Sequence, residues 1–75
     1  MITMFIINIV QQQRKACAFT QEELAKKIGV SRRTIISLEK GNYTPSLLLA
    51  FQLSEALDTP IDKLFQLDKE KEIQS

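Results

Sequence analysis

Between Thr20 and Gly41 the chain runs TQEELAKKIGVSRRTIISLEKG. The spacing of caps, apolar residues and glycines there specifies two short helices joined by a tight turn. The Thr20 hydroxyl can cap the first helix, and Glu23, three residues on, completes a capping box. Leu24, Ala25 and Ile28 then form one apolar stripe, and Ala25 is small enough for a second helix to cross closely. Gly29 follows, where the chain needs positive φ to leave the helix. Val30 fills the corner, and Ser31 caps a second helix that runs to about Lys40 and stops at Gly41.

The second helix resolves into faces. At roughly 100° per residue, Ile35 and Leu38 point together toward a core, with Thr34 and Glu39 flanking them. Arg32, Arg33, Ile36, Ser37 and Lys40 cover the opposite side. An ordinary solvated helix also carries charge. The whole spaced pattern, however, suits a helix that enters the major groove of DNA. Arginine bonds guanine bidentately, and Ile36 is placed to touch a thymine methyl.

Seventy-five residues make one domain with a marginal core, a size that often leans on a partner subunit. One cysteine and no histidine exclude an intrachain disulfide and a Cys/His zinc site, and no cofactor is expected. Cys17, at helical spacing from Val10 and Arg14, is expected as a small core residue. The net charge of +1 conceals an asymmetry. Residues 14–41 carry seven Lys/Arg against three Asp/Glu, and residues 42–75 carry three against six, so the positive charge coincides with the two-helix unit. The opening MITMFIINIV is too short to span a bilayer and lacks the basic flank of a signal peptide, so a cytoplasmic protein without a membrane partner is expected. With no histidine, no nucleophile–base arrangement, no phosphate-cradling glycine loop and no room for a pocket, the chain does not read as an enzyme.

Gln21, Leu24-Ala25, Gly29-Val30-Ser31, Ile35, Glu39-Lys40-Gly41 and Pro45-Ser46 together resemble the Cro/cI-type helix-turn-helix domain of phage and bacterial repressors. The likeness covers about residues 8–67. It is greatest to minimal single-domain repressors, through Thr59-Pro60-Ile61-Asp62 and Phe65-Gln66. It implies a mostly α, five-helix lambda-repressor-like fold with a small two-stranded antiparallel sheet from the chain ends. It implies base contacts from Ser31, Arg32, Arg33 and Ser37, to which the face analysis adds Ile36. It implies backbone contacts from Gln21, Lys40, Asn42 and Tyr43, and Thr34 is expected to contact the backbone with them. It also implies a semi-buried ion pair between Arg14 and Glu39. The chain departs from the family pattern at Ala18, where glycine is usual and positive φ would cost roughly 1 kcal/mol. Gln13 replaces a residue that is often aliphatic. Arg33 and Ile36 replace residues that are often amides, so the preferred DNA sequence is not carried over.

Met4 to Asn8 and Phe65 to Leu67 are the expected strands, and the first helix is expected at about 9–18. A fourth helix should run from Pro45-Ser46 to about Leu57, with Leu47, Ala50, Leu53, Ser54 and Leu57 inward, Leu48 outward and Phe51 at the edge. A fifth should run from Pro60 to Leu64. Phe5, Ile7, Leu57, Ile61, Leu64 and Leu67 offer more apolar surface than so small a core can hide, which points to a homodimer interface. Residues 1–67 then form the domain and 68–75 a solvated tail. The expected function is that of a sequence-specific regulator of transcription, a repressor that binds double-stranded DNA as a homodimer with no small-molecule effector. The competing reading is an antitoxin or adaptor that binds a partner protein through Leu48, Phe51 and the N-terminal apolar surface.

Overall fold

The computed structural model describes residues 4–69. The elements follow in the order β1 (Met4–Asn8), α1 (Val10–Ala16), α2 (Gln21–Ile28), α3 (Arg32–Glu39), α4 (Leu47–Ala56), α5 (Ile61–Leu64) and β2 (Phe65–Lys69). The fold is mostly helical, with the two chain ends paired as one antiparallel ribbon in which Ile6 faces Leu67 and Asn8 faces Phe65. Pairing extends through Lys69, opposite Met4, so residues 68 and 69 belong to the strand and not to the expected tail. Residues 70–75 of that tail lie outside the described residues.

Val10, Leu24, Ala25, Ile28, Ile35, Leu38, Leu49, Leu53, Leu57 and Leu64 form the core, so all five helices contribute. Each large aliphatic among them stabilises the fold by about 1.5–3 kcal/mol through burial. The Thr20 capping box forms in full, with Glu23 N–H donating to the Thr20 hydroxyl at 3.0 Å and Thr20 N–H to the Glu23 carboxylate at 2.8 Å. Ser31 and Ser46 cap α3 and α4 with one bond each, their hydroxyls accepting from Thr34 N–H and Leu49 N–H.

The first four helices end alike. Phe19, Val30, Asn42 and Thr59 each donate a backbone N–H to the carbonyl five residues back, at 2.9–3.0 Å. Each preceding residue sits in the left-handed region: Ala18 at φ +63°, Gly29 at +79°, Gly41 at +80° and Asp58 at +50°. This paired-bond ending requires one left-handed residue, which glycine adopts without strain. Ala18 keeps the geometry of the glycine it replaces. Gln13, in its polar departure, donates to the Thr59 hydroxyl at 2.9 Å and ties α1 to the α4–α5 turn.

Several expectations are corrected. Leu47 is 71 % exposed, and Leu49 takes its place in the core. The buried stripe of α4 is Leu49, Ala50, Leu53 and Leu57, and Leu47 lies about 200° round the helix from Leu49. Ser54 is half-buried at the stripe's edge, where its hydroxyl donates to the Thr59 carbonyl at 2.6 Å. Cys17 is exposed, because α1 ends at Ala16 and the core contacts of its face stop at Arg14. Leu57 and Leu64, expected at a dimer interface, are 1 % and 0 % exposed, so this protomer's own core covers them. Ile7 and Leu67 do not share a face: the register sets Leu67 beside Ile6 and Ile7 beside Gln66, and side chains alternate along a strand. The side chain of Phe5 lies outside the described residues.

Candidate nucleic-acid interface

The site is built from behind α3 outward. Glu39, on the flank of α3, is held by two helices at once. Arg14 Nε of α1 donates to its carboxylate at 2.6 Å and Nη2 at 3.3 Å, while Gln21 Nε2 of α2 donates at 3.0 Å. Arg14 Nη1 also donates to the Phe19 carbonyl at 2.8 Å, which fixes the turn between α1 and α2. The Arg14 and Glu39 side chains are 9 % and 3 % exposed, so this is a buried pair whose remaining donors are themselves bonded. Such a cluster fixes orientation more than it adds stability. It joins α1, α2 and α3 around one carboxylate and sets the angle at which α3 leaves the body.

Asn8 supplies a second tie that the sequence analysis missed. Its Nδ2 donates to the Leu38 carbonyl in α3 at 3.1 Å, and its Oδ1 accepts from Val10 N–H at 3.0 Å. One side chain therefore caps α1 and anchors the far end of α3. An asparagine two residues before a helix start is a legible capping signal, but its bond to a carbonyl thirty positions away is not.

The outer side of α3 is arranged as its periodicity dictates. Ile35 and Leu38 are fully buried; Arg32, Arg33 and Lys40 are exposed; Ile36 and Ser37 are half-buried between them. Neither Arg32 nor Arg33 forms an ion pair with another described residue. No acidic residue lies in the first turn of α3, so nothing there offsets the positive end of the helix dipole. Ser31 and Thr34 are partly committed to each other, with hydroxyls 3.0 Å apart and Thr34 N–H donating to Ser31 Oγ at 3.2 Å.

Around this face stand the other expected contact residues. Arg32 lines a recess with Arg14, Phe19, Thr20, Gln21 and Glu22 at the start of α2, where a helix N-terminus and a guanidinium meet. Gln21 is half-buried and braces α3 through Glu39. Lys40 closes α3, and Asn42 and Tyr43 are exposed in the loop that follows Gly41. Gln21, Arg32, Arg33, Ser37, Lys40, Asn42 and Tyr43 thus lie on α3, against it or in the loop that follows it, and together they mix charge, hydroxyl and amide. No helix among the described residues is long and apolar enough to cross a membrane.

Comparison with known proteins shows the family. A helix-turn-helix family model matches residues 10–64. An uncharacterized HTH-type transcriptional regulator of Methanothermobacter thermautotrophicus is 48 % identical over 64 residues, which is 84 % of this chain and 93 % of the relative. The uncharacterized regulator YgzD of Bacillus subtilis is 38 % identical over 63 residues, 84 % of this chain and 96 % of its own length. Among solved structures, the transcriptional regulator VanUg superimposes with a TM-score of 0.70 at 20 % identity over 89 % of each chain, a likeness of fold. The chain belongs to the Cro/cI-type helix-turn-helix family of regulators.

Proposed function

We propose that this protein is a sequence-specific transcriptional repressor, which binds an inverted-repeat operator in the cytoplasm as a homodimer and lays one α3 in each of two successive major grooves. The observation that carries the reading is the bare cationic side of α3, braced from behind by the Arg14–Glu39–Gln21 cluster. Arg32, Arg33, Ser37, Ser31 and Ile36 read bases. Gln21, Thr34, Lys40, Asn42 and Tyr43 grip the sugar-phosphate backbone. Two-fold symmetry sets the half-sites about one helical turn, ~34 Å, apart. A repressor of this size acts by occupying a promoter, and its HTH-type relatives are described as transcriptional regulators.

The test begins with selection of bound duplexes from a random DNA pool at fixed salt, followed by two substitutions. Arg33→Ala costs about 1–3 kcal/mol on the selected site and relaxes base preference. Lys40→Ala weakens all sequences alike and reduces the salt slope by about one. Full specific binding by both variants would refute the assignment of this face.

A further inference from the structure

We propose that the apolar groove between the ribbon and the start of α4 is where a second copy of this chain docks. This rests on the homodimer reading above and locates its pairing surface. The groove is walled by Ile6, Pro45, Leu47, Ala50, Ile61 and Phe65. Among the described residues no charged side chain lines it, although a quarter of the chain's residues are charged. Its occupant is therefore apolar, which disfavours nucleic acid and any highly charged peptide.

Three observations point to a second copy. First, groove and ridge occur on the same molecule. Phe51 stands one helical turn on from Leu47, and Leu67 lies beside Ile6 on the same face of the ribbon. A two-fold contact must be self-complementary, so each copy has to carry both the projecting and the receiving part. Second, the area fits. Ile6, Leu47, Phe51 and Leu67 are 41, 71, 55 and 62 % exposed. At roughly 200 Å² for each large apolar residue they leave about 460 Å² bare, within the range of the largest patch on a monomer and more than half of the ~800 Å² per partner in a stable pairing. Third, the groove lies close to the DNA-facing side. Pro45 and Leu47 follow directly on the loop that leaves α3, so an axis beside the groove keeps both α3 helices near it.

The decisive experiment measures oligomeric state by analytical ultracentrifugation and affinity for the inverted repeat against a single half-site. Leu47→Gln/Phe51→Gln is the variant of choice. Both side chains stand clear of the core, and neutral amides add no charge near DNA. The expected result is a dimeric wild type, and a variant that sediments as a monomer and loses about 100-fold of the advantage that two linked half-sites confer. Hydrogen exchange on the wild type, which needs no variant, should show residues 45–51 losing protection on dilution. A variant that stays dimeric with the advantage intact, or dilution-sensitive exchange confined to other segments, would overturn the groove assignment and leave the homodimer reading standing. A wild type that stays monomeric with and without DNA would overturn both, and would make a different protein the occupant of the groove.

Discussion

The helix-turn-helix unit and the helices flanking it use the same backbone endings with different residues. α2 and α3 close on Gly29 and Gly41, while α1 and α4 close on Ala18 and Asp58, at similar left-handed angles and with the same hydrogen bond to the carbonyl five residues back. Their outer faces differ as well. α3 carries outward arginines that pair with no described acidic residue, and α4 carries leucines and a phenylalanine. The unit that presents cations is assembled from unstrained parts and braced by buried polar ties. The flank tolerates strain at its turns and leaves apolar surface uncovered. A left-handed turn residue is thus set by the topology, and glycine only relieves its cost. Precision is concentrated behind α3, the helix proposed to meet DNA.

If the buried ties give the unit its precision, breaking one side of them has the largest effect on stability. Glu39→Ala leaves the Arg14 guanidinium and the Gln21 amide buried without their acceptor, at a cost of about 3–5 kcal/mol. A chain of this length has a total stability of only roughly 4–11 kcal/mol, so this single change brings it near unfolding. Arg14→Met/Glu39→Leu removes both charges and fills the space, and is expected to fall well short of the single variant's loss. Urea denaturation with an unchanged m value compares the two directly. A single variant no worse than the double would mean that the pair is ordinary surface charge, and the contrast between unit and flank would lose its basis.

The same contrast explains what could be read from the residues alone. In the unit, each signal acts within four or five positions: Thr20 with Glu23, Ala25 with Gly29, Ser31 with Thr34. α2 and α3 are also strongly two-faced, so their buried sides were legible, as was the cationic side of α3. α4 opens LLLAF, apolar all round, and offers no polar face from which to infer the inward one; Leu47 stood in for Leu49 for that reason. Apolar character says that Leu57 and Leu64 must be covered, but not whether by their own chain or by another. Cys17 shows the same limit at a helix end, where spacing cannot tell how far the core reaches. The ties from Asn8 to Leu38 and from Gln13 to Thr59 join positions 30 and 46 apart, and only the assembled fold brings them together.

The turns allow a finer test of the comparison between unit and flank. A Cβ added at Gly29 meets nothing within 4 Å, so Gly29→Ala introduces no clash and reports backbone strain alone. It should lower stability by about 1 kcal/mol, which turns the α2 ending into a copy of the α1 ending. A thermal midpoint unmoved by this change would show that left-handed alanine is free of strain here, and the distinction between the two turns would vanish.

The smallest effect comes from the reverse exchange. Ala18 is exposed, so Ala18→Gly sacrifices little packing. Relief of the left-handed penalty returns about 1–2 kcal/mol. Against this, glycine frees the unfolded chain and takes back about 0.4–1 kcal/mol. The net gain should be about 0.5 kcal/mol, smaller than the loss at Gly29 because Ala18, at φ +63°, lies nearer the left-handed minimum than Gly29 at +79°. The two substitutions therefore move stability in opposite directions through one physical term, and equilibrium denaturation of both on the same day in the same buffer resolves the sign. A loss on Ala18→Gly would mean that the methyl group holds the α1–α2 turn by contacts stronger than its exposure implies. The flank would then be no less specified than the unit it supports.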